Sequence, residues 1–192
     1  FKVSSATLIP RPGTEVLVET VLEQFGDIDN IHCLDLGTGT GAIALALASE
    51  QPHWKIDAID FSLDAVKLAK QNAQDLGLTQ VNIFQSDWFS TVNERKFDVI
   101  VSNPPYIDAL DEHLSQGDVR FEPDSALIAD EQGLGDIKYI AKQALNFLNT
   151  SGAIFFEHGF EQGESVRNIL TALGYESAKT VRDLNHHERI TW

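Results

Sequence analysis

The stretch LDLGTGTGA, residues 34–42, decides the fold because three glycines join an apolar run to an apolar, helix-forming segment. Gly37, Gly39 and Gly41 allow the backbone to bend sharply and to approach a ligand closely. A glycine-rich turn between a buried strand and a helix is typical of α/β folds that bind nucleotides. The stretch therefore predicts a ligand site at the end of the first strand of a parallel sheet.

The rest of the chain alternates apolar runs with segments of helical periodicity. Strands are predicted at 31–36, 54–60, 81–85, 97–102 and 152–159, and helices at 14–26, 42–50, 63–77, 136–148 and 165–174. Two further strands, 176–181 and 188–192, leave no room for a crossover helix and predict an antiparallel edge. The fold class predicted is α/β: a doubly wound, mostly parallel, seven-stranded, Rossmann-like sheet with helices on both faces.

Three residues are expected to mark helix ends. Thr14 is the expected N-cap of the first helix, and Ser62 is the expected N-cap of the third. Gly77 is expected to end the third helix, because glycine readily adopts the left-handed conformation found there.

Size and charge restrict the functions that the chain can have. Its 192 residues fit one domain. Lys and Arg number 14 against 29 Asp and Glu, and the net charge of −15 argues against a surface that follows nucleic-acid phosphates. No apolar run approaches the roughly 20 residues that a membrane-spanning helix needs. We expect neither nucleic acid nor a membrane as a partner.

Cysteine and histidine point to no disulfide and no metal site. Cys33 is the only cysteine and lies in an apolar run, so it is expected to be a buried structural thiol. A chain without an internal disulfide fits a reducing compartment, and we expect it in the cytoplasm. The pair at 186–187 lacks a further ligand at metal spacing and is expected to be a surface turn.

The glycine turn by itself leaves two ligands open. Gly37-x-Gly39-x-x-Ala42 satisfies the dinucleotide fingerprint, whereas Gly37-x-Gly39-x-Gly41 fits the turn used for S-adenosyl-L-methionine. No Lys or Arg that could bind a pyrophosphate stands near the turn, and a sulfonium donor does not need one. This difference favours S-adenosyl-L-methionine.

Acidic residues near the strand ends support a nucleoside-type ligand. Asp60 ends the second strand, where a carboxylate can accept both ribose hydroxyls. Asp35 favours the methyl donor, whose methionine ammonium benefits from a nearby acid, although Asp35 could also cap the following turn. Asp87 offers an acceptor to an adenine amino group, and Trp88 offers either a ring for the base or a core side chain.

The stretch NPPY, residues 103–106, ends the fourth strand and suits a planar amino group. A planar –NH2 group, on a carboxamide or an adenine, is a poor nucleophile until its two hydrogens are held and the nitrogen is aimed. Asn103 offers a side-chain oxygen and Pro104 a backbone carbonyl, and neither Pro104 nor Pro105 carries a competing N–H. Two acceptors on one –NH2 favour charge build-up on nitrogen, and Tyr106 supplies a flat face. The stretch is expected to be the catalytic clamp.

The chain resembles the peptide chain release factor glutamine N5-methyltransferases over nearly its whole length. The similar stretches are 6–19 (ATLIPRPGTEVLVE), 34–48 (LDLGTGTGAIALALA), 57–73 (DAIDFSLDAVKLAKQNA), 85–89 (QSDWF), 101–107 (VSNPPYI) and 116–127 (QGDVRFEPDSAL). The resemblance implies a class I methyltransferase domain that modifies the glutamine of the Gly-Gly-Gln motif in class I release factors. The expected product of the donor is S-adenosyl-L-homocysteine.

The resemblance also implies roles for individual residues. The donor is expected to contact the following residues: Gly37, Thr38, Gly39, Thr40, Gly41, Asp60, Asp87, Trp88 and Asn103. Residues 103–106 are expected to hold the glutamine amide, with Arg11 contacting the substrate loop. Family members usually carry an N-terminal helical domain. The chain begins at Phe1 and has no Met, so we interpret residues 1–192 as the catalytic domain of a fragment, expected to be a monomer.

The chain departs from the family pattern at two places. The acidic position of the family's "RP-acid-TE" is Gly13 here, which puts any contact of that carboxylate in doubt. The segment 183–189 replaces an Asp…Gly…Arg turn.

Other functions remain to be separated from this one. A DNA adenine N6-methyltransferase would use the same clamp but needs a basic groove. A non-catalytic S-adenosylmethionine-binding module and a nicotinamide dehydrogenase share the fold, but the first does not require residues 103–106 and the second needs a hydride-transfer base that the sequence lacks.

Overall fold

The computed structural model describes residues 1–4, 7–108, 123 and 126–192. The helices are α1 (Pro12–Phe25), α2 (Ala42–Glu50), α3 (Leu63–Leu76), α4 (Asp130–Gly133), α5 (Gly135–Ala144) and α6 (Gly163–Ala172). The strands are β1 (His32–Leu36), β2 (Lys55–Asp60), β3 (Asn82–Gln85), β4 (Phe97–Ser102), β5 (Leu148–Glu157), β6 (Thr180–Arg182) and β7 (Glu188–Thr191). Most of the family-like stretch 116–127 lies outside the described residues.

The strands form one sheet in the order β3-β2-β1-β4-β5-β7-β6. Strands β1 to β5 run parallel to one another, and β7 is antiparallel to both β5 and β6. The predicted doubly wound sheet with an antiparallel edge is confirmed. The strand order changes direction at β1, which has β2 on one side and β4 on the other. Doubly wound sheets bind ligands at the carboxyl ends of their strands at such a switch point.

Helices cover both faces of the sheet and bury two apolar layers. Alternate residues of the central strands face opposite layers. Cys33 and Val99 pack with α1, α2 and α3, whereas Leu34 and Ile100 pack with α5 and α6. Burying one large apolar side chain contributes about 1.5–3 kcal/mol, so the two layers hold the central strands in a fixed register.

The expected cap at Thr14 is wrong, whereas the helix ends expected at Ser62 and Gly77 are confirmed. Helix α1 begins earlier, at Pro12, and Arg11 is its N-cap without a side-chain hydrogen bond. Proline suits the first turn because its missing N–H would have no helical partner there. The Ser62 hydroxyl accepts a hydrogen bond from the Ala65 N–H at 3.3 Å, and Gly77 ends α3 with φ of 72°.

Several boundaries differ from those predicted. Helix α5 ends at Ala144 rather than at residue 148, and β5 begins at Leu148. The Phe147 carbonyl accepts a hydrogen bond from the Phe97 N–H at 2.8 Å, so pairing with β4 overrides the helical pattern. Strand β6 occupies Thr180–Arg182 rather than 176–181, and the short helix α4 was not predicted.

A polar cluster at the amino ends of the strands joins three segments. The Asp57 carboxylate is 4% exposed. It accepts hydrogen bonds from Asn82 Nδ2 at 2.6 Å and from Arg95 Nη1 at 2.8 Å, and His32 Nε2 lies 3.1 Å away. Buried carboxylates need such partners because their charge is otherwise poorly solvated.

We expect Asp57→Ala to lower the free energy of unfolding by about 1–3 kcal/mol, because it leaves three donors without their shared acceptor. Urea unfolding measures the loss. Asp64→Ala is the control, since Asp64 forms an exposed bridge to Lys67 and its loss should lower stability much less than the loss of Asp57. Equal losses in the two variants would contradict a structural role for the cluster.

Candidate active site

A cavity of about 370 Å³ lies at the carboxyl ends of the central parallel strands. We call it the main cavity. Its walls include residues 37–40 after β1, residues 60–62 after β2, residues 86–88 after β3 and residues 103–105 after β4. The sheet therefore brings most of the sequence-predicted site residues together, as expected from parallel strands whose carboxyl ends meet at one edge.

The glycine turn adopts a backbone that other residues rarely adopt. Gly37, Gly39 and Gly41 have φ values of 73°, 55° and 85°. A Cβ on Gly41 would lie 3.0 Å from Leu45 Cδ1 and 3.3 Å from Ala69 Cβ, so this glycine also lets α2 pack closely on α3. Gly41 itself does not line the main cavity among the described residues. Its predicted contact with a ligand is therefore less direct than that of Gly37 or Gly39.

The Asp60 carboxylate is held by two backbone N–H groups. Oδ2 accepts a hydrogen bond from Gly39 N at 2.9 Å, and Oδ1 accepts one from Ser62 N at 2.8 Å. Burial raises the pKa of Asp60, and these two hydrogen bonds oppose the increase. A carboxylate has about four acceptor sites, so each oxygen of Asp60 can accept a further hydrogen bond from a ligand hydroxyl.

Asp35 lies beneath the glycine turn. It is fully buried, and its Oδ2 accepts hydrogen bonds from Thr38 Oγ1 at 2.6 Å and from Ala44 N at 3.3 Å. Burial raises the pKa of Asp35 to about 7. Asp35 thus anchors the turn and the start of α2, and it is not among the described residues that line the main cavity.

Asp87 and Trp88 form the lip of the main cavity beyond β3. Asp87 is exposed, and Trp88 is half-buried with a left-handed φ of 42°. The Trp88 carbonyl accepts a hydrogen bond from Ser86 Oγ at 2.6 Å, which stabilises this conformation. The Trp88 ring both lines the cavity and packs against the apolar layer around α5 and α6, so the two interpretations of Trp88 are compatible.

The stretch 103–106 separates the main cavity from a smaller one of about 30 Å³, which we call the side cavity. Asn103 and Pro104 line both cavities. Pro105 lines the main cavity, whereas Tyr106 and Arg11 line the side cavity. The structure therefore places the predicted clamp between two spaces, with Tyr106 and Arg11 on the side away from the glycine turn.

Three buried oxygens at the site lack hydrogen-bond partners among the described residues. These atoms are Asn103 Oδ1, Asp35 Oδ1 and Thr7 Oγ1. A buried polar atom without a hydrogen bond costs about 1–3 kcal/mol, so Asn103 Oδ1 and Thr7 Oγ1, on residues that line the main cavity, favour a ligand that offers hydrogen bonds. An amide –NH2 supplies donors for Asn103, and the buried charge of Asp35 beneath the turn suits a methionine ammonium. The residues present therefore fit a methyl donor of the S-adenosylmethionine type.

Sequence reasoning missed part of the cavity wall. Thr7, Leu8 and Pro10 line the main cavity from the chain's N-terminal segment, and no local pattern marks that long-range contact. Thr14, expected to be a cap, lines the same cavity and donates its hydroxyl to Glu157 Oε2 at 2.9 Å. Phe61 could have been found, because an aromatic residue directly follows the predicted ribose carboxylate.

The described residues contain neither a metal-binding cluster nor a membrane-spanning helix. No group of three or more His, Cys, Asp or Glu in ranges 1–4, 7–108, 123 and 126–192 is placed to hold a metal ion. Within the same ranges, no helix has the length and apolar character needed to cross a membrane.

Comparison with known proteins decides the family. The family model described as Methyltransferase small domain matches residues 8–121. The release factor glutamine methyltransferase of Escherichia coli is 53% identical over 189 residues, which cover 98% of this chain and 68% of that protein. The chain belongs to the release factor glutamine methyltransferase family. The family member from Shewanella oneidensis is 57% identical over 191 residues, covering 100% of this chain and 66% of that protein. The chain thus spans about two thirds of the length of these relatives.

Solved structures agree with the family's fold. The release factor-specific protein-(glutamine-N5) methyltransferase of Alicyclobacillus acidocaldarius has a TM-score of 0.61 at 26% identity, covering 100% of this chain and 96% of that chain. A methyltransferase from Pyrococcus furiosus has a TM-score of 0.73 at 19% identity, covering 100% and 85%, and supports the fold alone. Membership of the family and the fold imply catalysis that depends on S-adenosyl-L-methionine.

We expect Asp60→Ala to weaken the binding of S-adenosyl-L-methionine about tenfold or more, because a charged acceptor contributes about 1.5–3 kcal/mol per hydrogen bond. Titration calorimetry measures the dissociation constant. Asp64→Ala is the matched control, since it removes an exposed carboxylate four residues away and should leave the affinity unchanged. Equal affinities in the two variants would place the ribose elsewhere.

We expect the affinity for S-adenosyl-L-methionine to fall as the pH falls from 7 to 5. Only the ionised Asp35 carboxylate attracts an ammonium group, and its pKa of about 7 means that it gains a proton in this range. The limiting dependence is about tenfold per pH unit. Calorimetric titrations at several pH values measure it, and Asp35→Asn should show a flat profile. The same slope in both proteins would assign the dependence to another group.

Proposed function

We propose that this chain transfers a methyl group from S-adenosyl-L-methionine to the side-chain amide nitrogen of the glutamine in the Gly-Gly-Gln motif of class I release factors. The names of the relatives support the substrate. The observation that carries the mechanism is the position of Asn103, whose buried side-chain oxygen has no partner among the described residues and lies where the main cavity meets the side cavity. Donor and acceptor can meet there.

On the donor side, the residues around the main cavity bind and orient the methyl donor. When bound, S-adenosyl-L-methionine supplies a methyl group on a sulfonium ion. The Asp60 oxygens would accept hydrogen bonds from the ribose hydroxyls, and the backbone of residues 37–40 would hold the methionine part. Asp35 would contribute negative charge from beneath the turn. Trp88 and Asp87 would hold the base at the lip of the cavity.

On the acceptor side, residues 103–106 hold the glutamine amide. Asn103 Oδ1 and the Pro104 carbonyl oxygen accept one hydrogen bond from each amide hydrogen. These two acceptors aim the nitrogen and stabilise the positive charge that develops on it as the N–CH3 bond forms and the S–CH3 bond breaks. One of the two held hydrogens then passes to solvent water as a proton, because an amide methylated on its nitrogen is positively charged and strongly acidic.

The side cavity gives the acceptor its orientation. Tyr106 presents a flat ring to the planar amide, and Arg11 brings positive charge from the N-cap of α1. Leu8, Ile107 and Leu127 also line this cavity, so its walls are apolar around the polar clamp. An apolar surround strengthens hydrogen bonds to the amide because little water competes for them.

A DNA adenine acceptor remains the second candidate because the same clamp suits an exocyclic –NH2. The net charge of −15 disfavours it, since a duplex would be repelled. The proposed partner is instead a release factor, and because release factors act in the cytoplasm the proposal places this chain there.

The experiment that tests the proposal measures methyl transfer from labelled S-adenosyl-L-methionine to three acceptors. These are a class I release factor, the same protein with its motif glutamine changed to Ala, and duplex DNA. We expect label on the first alone. Label on DNA would assign a nucleic-acid substrate, and equal label on both release factors would move the modification away from the motif. Donor binding without transfer to any acceptor would support a non-catalytic module.

We expect Asn103→Ala to lower kcat about 100- to 1000-fold, because one of two acceptors that stabilise the developing charge is lost. The donor's dissociation constant should rise only a few-fold. Steady-state kinetics and calorimetry separate the two effects. Asn82→Ala is the control: Asn82 donates to Asp57 at the opposite edge of the sheet, so stability should change without a change in kcat. A near-normal kcat in Asn103→Ala would exclude the clamp.

A further inference from the structure

The side chain of Gln162 joins three segments that meet beside the clamp. Gln162 is the residue before α6, and its Nε2 donates to the Tyr106 carbonyl at 3.0 Å and to the Gln132 carbonyl at 3.1 Å. Its Oε1 accepts a hydrogen bond from Gly159 N at 2.8 Å. The clamp, helix α4 and the turn after β5 are therefore connected through one side-chain amide.

The orientation of this amide is fixed by its partners. Nε2 faces two carbonyl oxygens, and Oε1 faces one N–H group. A rotation of the amide by half a turn would place an oxygen against two carbonyls and an NH2 against an N–H. All three bonds would then be lost, so Gln162 has one stable orientation.

The clamp needs anchors at its two ends because the prolines in its middle, Pro104 and Pro105, have no N–H group with which to bond a neighbouring segment. At the upstream end, Ser102 belongs to β4, and its hydroxyl donates to the Leu36 carbonyl at 2.8 Å. At the downstream end, the Tyr106 carbonyl accepts from Gln162, and the next residue, Ile107, pairs its backbone with Leu127 and Ala129. The positions of the intervening atoms follow from these ends and from the two fixed proline φ angles.

The surroundings of the Tyr106 carbonyl leave little space for another arrangement. A Cβ on Gly133 would lie 2.1 Å from the Tyr106 oxygen, so only a glycine allows α4 to approach this closely. Gly133 also has a φ of 79°, and the preceding Gln132 has a φ of 60°. The backbone around α4 is thus shaped to bring the Gln132 carbonyl to the same amide that binds Tyr106.

We propose that Gln162 is a positioning residue that fixes the downstream end of the Asn103–Tyr106 clamp and so determines the geometry of methyl transfer. The expected effect of Gln162 on the rate of methyl transfer rests on the proposed function. Its effect on the position of the clamp does not. Gln162 is absent from the lining of both cavities and contacts the clamp through the Tyr106 carbonyl. Its replacement should therefore lower kcat and leave donor binding unchanged.

Two variants and one control separate positioning from general stability. Gln162→Glu replaces the donating NH2 by oxygen and sets a carboxylate against two carbonyls, whereas Gln162→Met removes the donors without adding charge. Gln51→Glu is the matched control, because Gln51 Nε2 donates to the Gly26 carbonyl at 3.0 Å, remote from the site. All three changes remove a part-buried glutamine amide that bonds a backbone carbonyl.

The first measurement is amide hydrogen exchange, which does not depend on activity. Peptides covering residues 103–108 report the amides of Tyr106, Ile107 and Asp108. Gln162→Glu and Gln162→Met should speed exchange there by about tenfold, because the local opening of the clamp becomes easier by about 1.4 kcal/mol. Gln51→Glu should leave this segment unchanged.

The second measurement is methyl transfer to the release factor, with the donor's dissociation constant measured in parallel. A displacement of about 1 Å can cost on the order of 100-fold in rate, so we expect kcat to fall about 10- to 100-fold in Gln162→Glu and less in Gln162→Met. The donor's dissociation constant should stay within about twofold, because no donor contact is changed.

The outcomes distinguish this inference from the proposed function. Unchanged exchange at 103–108 in both Gln162 variants overturns the anchor, whatever the activity. Faster exchange with an unchanged kcat overturns its role in positioning, and so does an equal kcat loss in Gln51→Glu. Failure of the wild-type chain to methylate the release factor counts against the proposed function, and the exchange data then decide the anchor alone.

Discussion

The parallel register of β1 between β2 and β4 is the constraint on which the candidate site depends. Leu36, the last residue of β1, pairs with Ile59 on one side and with Ser102 on the other. The site begins directly beyond this row with the following residues: Gly37, Asp60 and Asn103. Because side chains alternate along a strand, a slip of one residue would turn Ser102 and its neighbours to the opposite face. The two apolar layers fix the register of the central strands and thereby the relative positions of the site residues.

The same arrangement places polar groups where water is scarce. Burial raises the pKa of Asp35 to about 7, and burial likewise raises that of Glu157 to about 7. For a carboxyl whose folded pKa exceeds its unfolded value, the contribution to stability declines as the pH rises between the two values. For Glu157 that range runs from 4.5 to about 7, and the hydrogen bond from Thr14 lessens the effect. The buried carboxyls near the cavities therefore lower the stability of the folded state at neutral pH.

The sequence predicts those parts of the site that follow from strand ends. The glycine turn, Asp60 and the stretch 103–106 each end a recognisable apolar run, and a parallel sheet must bring such ends together. Thr14 shows the limit of local patterns. Its position suggests a helix cap, but its hydroxyl donates a hydrogen bond to Glu157, which is 143 residues away in the chain. Gln162 and the segment 7–10 were missed for the same reason, since their partners are distant in the chain and no periodicity marks them. The start of β5 was misplaced because pairing with β4 outweighed helical propensity.

The fold and the clamp bear on different properties of this family. The methyltransferase from Pyrococcus furiosus matches the fold with a TM-score of 0.73 at only 19% identity, so the sheet is kept at low sequence similarity. Under the proposed function, the acceptor is chosen by the few residues that follow β4 and by the contacts that hold them. The two prolines make that stretch stiff but remove two of its N–H donors, so its position depends on contacts with other segments, including the backbone pairing of Ile107 with Leu127 and Ala129. Gln162 supplies such a contact from the turn before α6. It holds in place a segment that lies beyond the hydrogen bonds of the sheet.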